Sequence, residues 1–193
     1  MKPILNYFVP FTNGKFVASC LMFSDDVNGT PNQLLHDHWT KNEYSDIDFW
    51  WTDHFHNWFN TDKWQDYLNP NINHNKFSFY SCHEDYAVHH VKRLIPESRI
   101  ITVIPDLELC RANYNNKNWI AEESDFETSR VFAEFQAFNP IMSDIVIKQT
   151  DLFSRKSFTE TIERLRESLN ISLDMDKVLA YRNYYFSHPS NQI

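Results

Sequence analysis

The chain has 193 residues, a formal net charge of −8 and 42% hydrophobic residues, which suits one domain with a full apolar core. That acidic balance excludes a general nucleic-acid binder, which needs cationic surface to displace counterions from phosphates. Only two glycines are present, so a glycine-rich phosphate cradle is excluded everywhere except around Gly14, and asparagine is left to fill many turns and caps.

The charge is unevenly spread. Residues 31–75 carry seven acidic against two basic side chains, and residues 76–120 carry five against six. The middle of the chain is therefore the better place for an anion. Cys20, Cys82 and Cys110 are an odd number set in apolar runs, and they read as buried free thiols of a reducing compartment. The first apolar run is short and broken by Pro10, unlike a secretory signal, and no run approaches a membrane span. A soluble cytoplasmic protein with no membrane partner is expected.

In chain order, Ile4 to Pro10 (ILNYFVP) predicts a strand stopped by proline, Thr12-Asn13-Gly14-Lys15 a turn, and Phe16 to Phe23 a short buried helix. A strand, a Gly-Lys turn and a helix resemble the opening of a P-loop domain. The Walker pattern, however, wants glycine at Val9 and a hydroxyl at Phe16, so no magnesium ligand is offered. Residues 24–31 read as a polar turn. Residues 34–69 predict an acidic helical insertion in which Trp51, Phe55, Trp58 and Phe59 share one stripe, continued by Trp64 and Leu68. Either that stripe packs on the sheet, or the Trp50–Trp64 region is exposed and grips another subunit.

Residues 77–106 predict a strand from Phe77, a helix over 84–94 and a second strand, RIITVI, at 99–104. Together these make a right-handed βαβ unit. A parallel sheet buried on both faces follows. A helix over 107–118, an acidic link over 119–128, an apolar-sided segment over 129–138 and a short strand over 144–148 come next. Residues 154–188 predict a helix pair. Ser157 and Glu160 offer a capping box, Asn170 ends the first helix, Asp174 caps the second, and Val178, Tyr181 and Tyr185 turn inward.

Histidine pairs at His36/His38 and His54/His56, with His83, His89 and His90, suggest a metal only superficially. Positions two apart on a helix diverge, and no cysteine has ligand spacing with them, so no metal is expected. Cys82 and His83 are adjacent on a strand and face opposite ways, which excludes a thiol–imidazole nucleophile.

The order of elements resembles the sulfotransferase family, whose α/β fold transfers a sulfuryl group from 3′-phosphoadenosine-5′-phosphosulfate. The resemblance runs through the strand and turn at 8–16, Tyr80-Ser81-Cys82-His83, Ser98 to Asp106, and the tail from Asp151 to Phe186. The glycine-lysine-phenylalanine opening is similar to divergent members from marine cyanobacteria and their phages. The resemblance implies a single domain, residues 1–193, with a three-layer core of parallel sheet between helices. It places Thr12, Asn13, Gly14 and Lys15 at the donor loop, His83 at the catalytic base and Arg111 as a substitute for a 3′-phosphate arginine. The donor-loop lysine before the glycine is replaced by Thr12 or Asn13. The arginine expected after RIITVI is replaced by Ile104 or Pro105.

Two functions follow. One is a structural or interaction protein on a degenerate sulfotransferase-like fold, without cofactor, in a homo-oligomer or a phage virion. The other is a divergent sulfotransferase using that donor, with His83 as base.

Overall fold

The computed structural model describes residues 2–27, 75–82, 88–89, 92–93, 96–117, 125–140 and 142–187. Within them, β1 (Lys2–Phe8), β2 (Phe77–Cys82), β3 (Arg99–Ile104) and β4 (Ile145–Lys148) form one sheet in the order β2-β1-β3-β4. Every pairing is parallel, with Leu5 opposite both Tyr80 and Ile100, and Val103 opposite Ile147. The class is α/β.

The strand–helix–strand reading of 77–106 needs one change. β2 and β3 are parallel members of one sheet, and Val88, His89, Lys92 and Arg93 between them are helical. They are not neighbours, because β1 is inserted between them. β1 is buried on both faces, with Ile4, Leu5, Asn6 and Tyr7 all at most 2% exposed, as is β3 from Ile100 to Val103, which suits the two central strands of a parallel sheet.

Helix α1 (Gly14–Leu21) starts two residues earlier than the apolar run predicts. The cause is local: Asn13 takes the left-handed conformation and reverses the chain, so the helix begins at glycine. α2 (Leu107–Lys117) follows β3, with the Asp106 carboxylate accepting from Leu109 N–H at 3.0 Å. A 3-10 turn (Phe126–Thr128) and α3 (Arg130–Ala137) come next, then β4 and a second 3-10 turn (Gln149–Leu152). Of the acidic link read over 119–128, the described part includes Phe126, which is buried. It packs edge-on to the rings of Tyr114 and Phe132.

The C-terminal pair is α4 (Arg155–Leu169) and α5 (Met175–Ser187). The cap of α4 is Ser154, whose side chain accepts from Ser157 N–H, so the capping box expected at Ser157 and Glu160 is not formed. Ser157 lies inside the helix, its hydroxyl spent on the Asp151 carbonyl at 2.9 Å. Asn170 ends α4 in the left-handed conformation and Asp174 caps α5 through Lys177 N–H, both as the sequence indicates.

Alternation along the strands divides the core. Ile4 and Phe8 of β1, Ile101 and Val103 of β3, and Ile145 and Ile147 of β4 meet α1, α4 and α5 in one cluster. Tyr7 points the other way and stacks on Phe138 at 4.8 Å. Phe16 is the hub on the α1 side. Its ring lies 4.5 Å from Tyr185, 5.2 Å from Phe186, 5.6 Å from Phe158 and 5.8 Å from Tyr181. Arg182 is buried between the rings of Phe186 and Phe158, at 5.2 and 5.4 Å, and donates to the Phe153 carbonyl. No helix among the described residues is long and apolar enough to cross a membrane.

Candidate functional site

In a parallel sheet the carboxyl ends of all strands lie along one edge. The crevice for a ligand opens where connections leave a strand in opposite directions. Here that point is between β1 and β3, because the chain goes from β1 outward to β2 and then returns across β1 to β3. Three segments meet at this edge: the β1–α1 turn, the start of α2, and Gln149 immediately after β4.

The turn is held in an unusual shape. Phe11 and Asn13 both have positive φ, 67° and 63°, and neither is glycine. For a bulky residue such as Phe11 that region is a genuine outlier, costing about 1–3 kcal/mol unless its surroundings hold it there. Thr12 between them is fully buried. Its hydroxyl donates to the Val9 carbonyl at 2.7 Å, and so is turned inward, away from the crevice.

What holds the turn is a network of side-chain amides. Gln149 Nε2 donates to the Phe11 carbonyl at 3.0 Å and to Asn13 Oδ1 at 3.2 Å. Asn113 Nδ2 donates to the same two oxygens, at 2.7 and 3.3 Å. Asn13 Nδ2 donates in turn to the Tyr185 hydroxyl at 3.3 Å. Gln149 Oε1 accepts from Asp106 N–H at 2.9 Å and from the Cys110 thiol at 3.4 Å. Its carboxamide therefore uses both donors and both acceptor positions within the protein, and the backbone N–H of Asp106 fixes which end is oxygen. Every side chain bonded to the turn in this network is neutral.

Gly14 opens α1, and its carbonyl accepts from Asn6 Nδ2 at 2.8 Å. The Asn6 amide is fully buried in the sheet, and its oxygen is without a partner. A Cβ placed on Gly14 would lie 2.2 Å from the ring of Phe8. Glycine is thus required here by close packing against β1. Lys15 stands in the first turn of α1, but its side chain lies outside those described. His83, the residue after the last of β2, lies outside the described residues, as does the Trp50–Trp64 region.

Arg111 is not brought to the turn. On α2 it sits between Glu108 and Glu127, with ion-pair contacts of 2.8 and 2.6 Å, and its guanidinium lies over Phe126 at 5.8 Å. Hydrogen bonds to those two carboxylates raise its pKa further above the ordinary arginine value. From the same helix Asn113, Cys110 and the cap Asp106 face the turn instead. Sequence reasoning passed over Asn113 and Gln149. The signal available for Gln149 was its position directly after a parallel strand, where α/β sites gather. For Asn113 no sequence signal marks it out from its asparagine-rich neighbours. Among the described residues no group of His, Cys, Asp and Glu is placed to hold a metal ion.

Burial pushes the Cys110 thiol up to about 12, with the nearby Asp106 charge adding to the effect. Burial also pushes the Tyr185 phenol up to about 12, against the opposing hydrogen bond from Asn13. A thiol or phenol that keeps its proton in the folded state while the unfolded chain loses it favours unfolding as pH rises. The contribution of Cys110 is whole below the ordinary thiol pKa of about 8.5 and is lost progressively up to its folded value. Urea midpoints across the alkaline range should therefore fall above that point, and a Cys110→Ala variant should show a shallower fall. Parallel slopes for the two proteins would refute the assignment. No protein-family model matches this sequence, and no curated protein matches it either.

Proposed function

We propose that this protein is a structural or interaction protein, built as a single three-layer domain on a sulfotransferase-like scaffold whose donor site has been given over to internal bonding. The observation that carries the reading is the saturated network around Gln149. The Phe11 carbonyl, the Asn13 carboxamide and the Gln149 carboxamide are bonded to one another and to Asn113, Asp106 and Tyr185, at the edge where an α/β crevice would receive a ligand. The Asn113 and Gln149 amide hydrogens that could have met an anionic donor at this edge are already spent on the Phe11 and Asn13 oxygens, and the bonded network holds no cation. The arginine that would meet a 3′-phosphate, Arg111, is neutralised by two carboxylates. The working surface is then elsewhere, and the Trp50–Trp64 region is the proposed contact for other copies or for virion subunits.

Calorimetric titration with 3′-phosphoadenosine 5′-phosphate tests this. No heat of binding is expected at millimolar ligand. Micromolar binding that disappears in Lys15→Ala would overturn the reading in favour of a divergent sulfotransferase with His83 as base.

A further inference from the structure

The β1–α1 turn combines a conformation that costs free energy with a dense set of bonds from distant parts of the chain. Phe11 and Asn13 are both left-handed, yet neither is glycine. Their bonding partners come from three separate elements, α2 (Asn113), the 3-10 turn after β4 (Gln149) and α5 (Tyr185), at sequence separations of 102, 136 and 172 residues. A strained segment held largely by side chains from distant parts of the chain has a relaxed alternative available when those contacts break. The turn therefore stores the strain, and the three side chains restrain it.

We infer that the β1–α1 turn is a spring-loaded latch. The Asn113 and Gln149 carboxamides, with the Tyr185 hydroxyl, hold residues 11–13 closed over the carboxyl edge of the sheet, and release of these groups lets the turn relax outward while the sheet stays folded. The latch links the C-terminal helix to the crevice. Movement of α5 that carries Tyr185 away removes a bond from Asn13 and uncovers Phe16, on which the Tyr185 ring lies. Anything that draws α5 toward a partner thus favours opening of the turn, and anything that wedges the turn open weakens the seat of α5. The inference rests on the geometry of the turn alone and stands whichever function the protein has.

Hydrogen exchange on the full chain reads this directly. In the closed turn Thr12 N–H is bonded to the Val9 carbonyl and Val17 N–H to the Asn13 carbonyl, whereas the Ile101 and Val103 amides report the core of the sheet. In a Gln149→Leu, Asn113→Ala variant, which removes four hydrogen bonds to the turn, the Thr12 and Val17 amides should exchange at least about tenfold faster, the effect expected of even one or two of them, with the β3 amides unchanged. Adding Phe11→Gly should leave the turn amides slower than adding Phe11→Ala, because both lose the ring packed on Tyr114 while glycine alone holds positive φ without strain. Tyr185→Phe removes a single hydroxyl, and should speed the turn amides severalfold in a chain that keeps its packing. The latch is refuted if turn and β3 amides accelerate together in Tyr185→Phe or the double variant, if neither changes, or if Phe11→Gly and Phe11→Ala give the same turn exchange.

Discussion

Gly14→Ala is expected to cost about 3 kcal/mol or more, a severe loss for a substitution that adds one methyl group. The new Cβ would fall 2.2 Å from Cγ and Cδ1 of the Phe8 ring and 2.6 Å from Cδ2. Those are atoms at the root of the ring, so rotating the ring about its own axis gives no relief. Either Phe8 leaves its rotamer within a core where it is only 4% exposed, or α1 backs away from β1 and loosens its contacts with Phe158 and α5. A domain with a net stability of roughly 5–15 kcal/mol retains little after such a change. Urea denaturation of Gly14→Ala checks the magnitude. Phe8→Ala removes Cγ and both Cδ atoms, so it should be far less damaging in the Gly14→Ala chain than in the parent, whereas Phe8→Leu keeps the clashing atoms and should bring no such relief. If Gly14→Ala leaves the midpoint where it was, the glycine is not there for packing. Its role would then have to be sought in close approach of a ligand to the backbone.

Phe16→Thr is expected to be as damaging, at about 4 kcal/mol. The substitution has a particular interest because it restores the hydroxyl that a P-loop pattern wants after its lysine. In this protein the position faces the wrong way for that purpose. Phe16 is 1% exposed and its ring touches those of Phe158, Tyr181, Tyr185 and Phe186, which bind α4 and α5 to α1. Threonine would leave a ring-sized void and bury a hydroxyl among aromatic carbons. Thermal or urea unfolding gives the loss. Loss of near-ultraviolet aromatic dichroism with far-ultraviolet signal retained would show α5 undocking. A folded Phe16→Thr protein that gains magnesium-dependent nucleotide binding would refute both this packing account and the view that the donor site is closed.

Much of the scaffold was legible in the sequence for physical reasons that are local. RIITVI is a continuous apolar run of strand length, and it became β3 with the same boundaries. Asn170 and Asp174 punctuate the last two helices because a left-handed cap and a carboxylate N-cap are set by a few neighbouring residues. Where several residues competed for the same role the reading slipped. Ser154 and Ser157 each can cap α4, and the choice fell to Ser154 because the Ser157 hydroxyl found the Asp151 carbonyl. The insertion of β1 between β2 and β3 was likewise beyond reach, since periodicity states what a strand buries and not which strand it pairs with.

The candidate site divides along the same line. By itself the sequence determined that a turn containing Gly14 leads from a buried strand to a buried helix, that the Walker hydroxyl is missing at Phe16, and that Ile104 and Pro105, not a cation, stand at the end of the apolar run of β3. Those are facts of residue identity at fixed offsets. Only the tertiary structure decided what became of the site. It joined Phe11 and Asn13 to Asn113, Gln149 and Tyr185 across separations of more than a hundred residues, and it turned Arg111 to Glu108 and Glu127. Hydrogen-bond partners of that kind are chosen by which surfaces the packed sheet and helices bring within about 3 Å, a distance no spacing along the chain encodes.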